Sequence, residues 1–88
     1  MRLDLYLKVS RLCPRRSLAQ QLCESQLVFV NGRPAKQSHN VKPDDEIILR
    51  RGNHEKRVKV LSVPTRQPAR YDAANLYQVI SERQISDA

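Results

Sequence analysis

The chain has 88 residues, 40% of them apolar, enough for one small domain and too few to enclose a large substrate cavity. No apolar run approaches the roughly 18 residues of a membrane span. The opening Met1-Arg2-Leu3-Asp4-Leu5-Tyr6 breaks its apolar residues with charge and does not read as a secretory signal, so a cytoplasmic protein is expected. Sixteen Lys and Arg against nine Asp and Glu leave a net charge of +7, which points to a polyanionic partner, nucleic acid first.

Residues 3–12 read as a helix. Leu3, Tyr6, Leu7 and Ser10 share one side at 3.6 spacing, and Leu5, Val9 and Leu12 widen the apolar arc. Asp4, Lys8 and Arg11 occupy the remaining face, with Asp4 and Lys8 as an i,i+4 pair. Cys13-Pro14 is expected to end that helix, because the residue before proline avoids the helical region. Pro14 then suits the first turn of a second helix over 14–25, with Leu18, Ala19, Leu22 and Cys23 as its apolar stripe. That places Arg15 and Arg16 at a helix N-terminus, among free backbone N–H groups.

Residues 27–30 form a short strand, and Asn31-Gly32 is a two-residue hairpin signal. The return begins at Arg33-Pro34, and Pro34 confines it to a sheet edge. Residues 37–45 read as polar loop, closing in a Lys42-Pro43-Asp44-Asp45 turn. Further strands are expected over 46–50 and 57–63. A linker over 64–70 is punctuated by Pro64 and Pro68. A last helix over 72–83 takes Asp72 as its N-cap and Leu76, Val79 and Ile80 as its apolar stripe. The order α-α-β-β-β-α predicts an α+β fold: a two-helix hairpin on a small twisted antiparallel sheet, with a short C-terminal helix. Residues 1–63 form the domain and 71–88 a helical extension.

The basic residues are unevenly placed. Residues 1–36 hold seven basic and two acidic side chains, residues 37–63 six and four, and residues 64–88 three of each. Arg2, Lys8, Arg11, Arg15 and Arg16 all come from the two helices, where they can form one basic surface. Guanidinium groups contact phosphate bidentately, and a helix N-terminus adds N–H donors. This suits backbone and shape recognition of structured RNA. Four aromatics, Tyr6, Phe29, Tyr71 and Tyr77, argue against a base-stacking platform. Asp4 within the basic stripe repels phosphate. It serves as a dipole and charge partner of Lys8 and Arg11, or it orients an arginine for contact, and spacing alone does not separate the two. No nucleophile–base set and no phosphate-binding glycine loop is present. Cys13 and Cys23 read as buried structural thiols. No cofactor and no metal is implied.

The run Arg2-Leu3-Asp4, Leu7, Arg11-Leu12, Arg15-Arg16-Ser17-Leu18-Ala19, Val30-Asn31-Gly32, Ala35-Lys36 and Val41-Lys42-Pro43-Asp44-Asp45-Glu46 resembles the RNA-binding domain of small-subunit ribosomal protein four, the S4 domain with its αL motif. The match covers about residues 1–63. It implies a helix pair on a small antiparallel sheet, with RNA contacts from the two-helix face and the adjacent strand loop. By position, it implicates Arg2, Asp4, Lys8, Arg11, Arg15 and Arg16, with Asn31, Gly32, Arg33 and Lys36 from the hairpin. Two groups of stand-alone S4 proteins are similar, the RqcP type of ribosome-associated quality-control factor and, next, the fifteen-kilodalton heat-shock group. The first implies a non-enzymatic protein that holds large-subunit rRNA and P-site peptidyl-tRNA on stalled large subunits. It would support C-terminal alanine tailing beside an RqcH-type partner, with no membrane contact and a monomeric free state. The second implies recycling of such subunits. An accessory module of an RNA-modification enzyme and a structural ribosomal component are the remaining alternatives.

Three departures from the S4 pattern carry expectations. Gln26 stands where the family commonly has glycine, at a cost on the order of 1 kcal/mol if the position needs positive φ. Asp44 replaces the glycine of a Pro-Gly-Asp turn and can adopt the left-handed conformation. Leu27 and Phe29 stand where polar residues are usual; either one of them faces a partner or the last helix covers them, and the second is the expectation.

Overall fold

The computed structural model describes residues 1–64 and 75–84. Helix α1 spans Leu3–Val9 and α2 spans Arg16–Glu24. Strands β1 (Val28–Val30), β2 (Arg33–Pro34), β3 (Glu46–Arg51), β4 (His54–Val60) and β5 (Tyr77–Gln84) follow. They form one antiparallel sheet in the order β2-β1-β3-β4-β5. The pair β2, with Pro34, lies at one edge as expected.

The helices sit on one face of this sheet. Leu3, Tyr6, Leu7, Val9, Ala19, Leu22 and Cys23 from the helices meet Val28, Val30, Ile47, Leu49, Val58 and Val60 from the strands, all buried. These strand residues alternate with Phe29, Ile48 and Arg57, which face the other way, as the two-residue period of a strand requires. The α+β architecture of a helix pair on an antiparallel sheet thus follows from the apolar patterns.

Helix α1 is shorter than its apolar pattern suggests. Ser10 is its C-cap and Arg11 takes φ 64°, so the helix ends before Cys13-Pro14 rather than at it. The Arg11 N–H donates to the Lys8 carbonyl at 3.0 Å and the Cys13 N–H to the Leu7 carbonyl at 2.9 Å. This closure satisfies end carbonyls and turns the chain so that Cys13 is fully buried. Helix α2 correspondingly starts later than the expected Pro14, with Arg15 as an extended N-cap. Its end meets the expectation for Gln26, which takes φ 59°. The Gln26 N–H donates to the Cys23 carbonyl at 3.0 Å, and the Leu27 N–H to the Leu22 carbonyl at 2.9 Å. Asp44 is likewise left-handed at φ 73°, and Asn31 and Gly32 form the hairpin turn at φ 53° and 86°.

The last helix is a correction. Residues 77–84 are a strand, paired antiparallel with β4 from Val60↔Tyr77 to His54↔Gln84. The linker over 65–70 and the expected N-cap Asp72 lie outside the described residues. The apolar spacing of Leu76, Val79 and Ile80 imitates a helical stripe, but these residues have different fates. Leu76 is buried, while Val79 and Ile80 stay 45% and 48% exposed. The register jumps by one residue opposite Arg57 and Val58, so Val79 and Ile80 stand against Val58 alone. The open edge of β4 needs hydrogen-bond partners, and β-branched Val79 and Ile80 supply a strand at little conformational cost. Leu76 fastens the segment. Its carbonyl accepts from the Tyr6 hydroxyl at 2.7 Å and from the Leu61 N–H at 2.9 Å. No helix therefore covers Leu27 and Phe29 from residues 77–84, and both remain partly exposed.

Candidate nucleic-acid interface

Helix α1 begins immediately after Arg2, so Asp4 falls in its first turn, where a carboxylate suits the helix dipole. The first turn is also capped from outside. The Leu3 N–H donates to the His39 carbonyl at 2.8 Å and the Asp4 N–H to the Gln37 carbonyl at 3.1 Å. The loop that follows the hairpin is thereby fixed against the start of α1.

The Asp4 side chain is fully buried, unlike the exposed member of a Lys8/Arg11 stripe that the helical spacing suggested. It accepts from Arg2 Nε at 3.2 Å and Arg2 Nη2 at 3.3 Å. It also accepts from Arg16 Nε at 3.2 Å, Gln20 Nε2 at 2.9 Å and the Leu5 N–H at 2.8 Å. Burial alone would raise its pKa. The hydrogen bonds from Gln20, Arg16 and Leu5, with the charge of Arg16, outweigh burial and hold it below the usual carboxylate value.

Arg2 and Arg16 remain 48% and 42% exposed. Among the described residues Arg16 uses only Nε, on Asp4, which leaves both its terminal nitrogens for a ligand, and Arg2 keeps Nη1. The charge partners of Asp4 are Arg2 and Arg16 rather than Lys8 and Arg11. Asp4 orients two arginines, and its own charge lies beneath them. Two guanidiniums held in fixed planes lose less entropy on meeting a phosphate than free side chains do.

The other expected residues are dispersed. Arg15 is exposed at the start of α2, one residue from Arg16. Lys8 and Arg11 lie toward the far end of α1, and among the described residues neither makes an ion pair. Arg33 and Lys36 are exposed and line a groove of about 360 Å³ together with Pro34, Ala35, Ser38 and His39. Lys36 also borders the C-terminal end of α2 at Cys23 and Glu24. Gly32 is exposed, with nothing within 4 Å of a Cβ built there. Asn31 serves the fold. Its Oδ1 accepts from the Glu46 N–H at 3.0 Å, and its Nδ2 donates to Asp45 at 3.1 Å.

The sequence reading missed Gln20. Its spacing of four from Arg16 on α2 was the available signal, since it places both on one helix face toward Asp4. It also missed Glu55, a buried carboxylate in β4 that accepts from Arg50 Nε at 3.0 Å and lies 3.2 Å from Arg83 Nη2. Burial would raise the Glu55 pKa, and the Arg50 hydrogen bond with the charges of Arg83 and Arg50 holds it low. Cys13 and Cys23 are buried free thiols. Burial raises both, Cys23 to about 11 with the nearby Asp4 carboxylate adding to it.

The S4 domain profile matches residues 1–47. The RQC P-site tRNA stabilizing factor of Streptococcus pneumoniae is 40% identical over 87 residues, covering 99% of this chain and 98% of that protein. That of Bacillus subtilis is 38% identical, covering 99% and 100%. The trimeric structure of heat shock protein 15 from Vibrio cholerae superposes with a TM-score of 0.82 at 32% identity, covering 92% of this chain and 82% of that one. The chain belongs to the S4-domain family, in the branch of the RQC P-site tRNA stabilizing factors.

Proposed function

We propose that the chain is a non-enzymatic RNA-binding factor of ribosome-associated quality control. It binds stalled large subunits that carry peptidyl-tRNA, contacts rRNA and the P-site tRNA, and supports C-terminal alanine tailing. The bond-making chemistry then belongs to the ribosome, and an RqcH-type partner brings the charged tRNA. The observation that carries this reading is the pair Arg2 and Arg16 held by one buried carboxylate at the helix surface. The near full-length similarity to proteins named RQC P-site tRNA stabilizing factor supports the choice of RNA. A second reading, recycling of large subunits in the manner of the heat-shock group, draws on the structural likeness to heat shock protein 15. The higher identity to the stabilizing factors favours the first.

The test is a sucrose-gradient fractionation of the tagged protein from cells, with each fraction probed for peptidyl-tRNA. Enrichment with the free large subunit and peptidyl-tRNA is expected, with Arg2→Ala/Arg16→Ala shifting the protein to the top of the gradient. Deleting the RqcH-type partner separates the readings, because tailing then stops while recycling persists. Uniform presence on all ribosomes would replace both with a structural role.

A further inference from the structure

The sheet face opposite the helices repeats the construction found on the helix side. Cross-strand pairs Arg50↔Glu55↔Arg83 and Phe29↔Ile48↔Arg57↔Ser81 lie on this face, which carries no helix among the described residues. Glu55 is 4% exposed, whereas Arg50 and Arg83 above it are 44% and 68% exposed. As at Asp4, one buried carboxylate holds two exposed guanidiniums. Arg50 also stacks over the Phe29 ring, 4.9 Å from its centroid, which fixes its plane. Arg57 and Lys59 extend the cationic surface, each beside an acid at the margin. Arg57 lies 3.3 Å from Glu46 and Lys59 3.6 Å from Asp44.

We infer that this open sheet face is a second RNA-binding surface, so that the domain holds RNA on both sides of the sheet at once. The inference rests on the reading that the helix face binds RNA, and it adds a separate set of residues. Two features select RNA over an acidic protein segment. The cations at the centre are arginines in fixed planes over a buried carboxylate, which suits bidentate contact with phosphate. Phe29, partly exposed with Arg50 stacked over its ring, adds an aromatic contact for a nucleobase beside the phosphate-binding cations. The helices and this sheet face point in opposite directions, so RNA on one leaves the other accessible.

The test compares Arg57→Gln/Arg83→Gln with Arg2→Ala/Arg16→Ala for binding to purified large ribosomal subunits carrying peptidyl-tRNA, over a range of salt. The sheet variant keeps Arg50 on Glu55, and its thermal melt is measured alongside. Binding is expected to weaken about tenfold, with the slope of log affinity against log salt falling by roughly 1 to 2. Unchanged affinity and slope in the folded variant would overturn the inference while leaving the helix face standing. Loss of binding only in the sheet variant would remove the helix-face reading and, with it, the inference of RNA on both sides. Ultraviolet crosslinking of the unaltered protein to the same subunits gives an answer independent of folding. Nucleotide adducts are expected on the β1 peptide containing Phe29. Adducts confined to helix peptides, or crosslinks from β1 to a protein, would overturn the inference.

Discussion

Asp4 carries three duties in one side chain. It closes the first turn of α1 through the Leu5 N–H, joins α2 through Arg16 and Gln20, and fixes Arg2 and Arg16 toward solvent. Asp4→Asn keeps the size but replaces one acceptor oxygen with a donor facing two guanidiniums. The expected loss of stability at neutral pH is about 1–3 kcal/mol, the range for leaving a buried polar group without its partner. The pH dependence has a definite sign. The Asp4 carboxyl titrates lower in the folded state than its ordinary 3.8. Its stabilisation is therefore complete above that value and is lost as pH falls through the folded value. Glu55, held below its ordinary 4.5, acts in the same direction. Thermal melts from neutral pH down to about 2 should show a steep acid limb in the parent and a shallower one in Asp4→Asn. Identical acid limbs would mean that Asp4 is not the coupled group.

At the scale of elements, Leu76 joins β5 to the rest of the fold. Its side chain lies in the core, and its carbonyl accepts the buried Tyr6 hydroxyl. Leu76→Ala should cost about 2–5 kcal/mol, the range for a buried leucine truncated without full collapse of the site. Because β5 has only β4 beside it among the described residues, amide protection should fall most in β5, less in β4, and least in α1. A uniform fall across the sheet would mean that β5 unfolds with the whole domain.

The same element marks where the sequence ceased to be legible. Both helices, the Asn31-Gly32 turn and the strand at Ile47 to Leu49 could be read because local pattern and tertiary demand agree there. Residues 77–84 suit either a short helix or a strand by themselves, and the open edge of β4 decides between them. The pairing spans a long stretch of chain, which no local window contains. The site divides similarly. Arg2, Arg15 and Arg16 were legible as surface charge near helix starts. Burial of Asp4 and the part of Gln20 depend on how two helices meet, which periodicity does not specify.

The whole molecule is a basic body in which two buried acids, Asp4 and Glu55, hold four of the arginines, and this sets how its binding must depend on salt. Each phosphate neutralised releases counterions, so log affinity falls with log salt by about 0.9 per contact on a duplex. A net charge of +7 spread diffusely would give a salt response that no pair of residues dominates. Two fixed arginines on Asp4 give another outcome, because their contacts form together. Arg2→Ala/Arg16→Ala should flatten the slope by about 2 on large ribosomal subunits carrying peptidyl-tRNA, with affinity reduced at low salt. Lys8→Ala/Arg11→Ala removes the same charge from the far end of α1, where no carboxylate among the described residues holds the side chains. It should change the slope by less. Equal slopes in the two variants would mean that net charge alone sets the affinity. A slope near zero in the parent protein would move the binding energy from phosphate contacts to the apolar residues left exposed at Leu61, Val79 and Ile80.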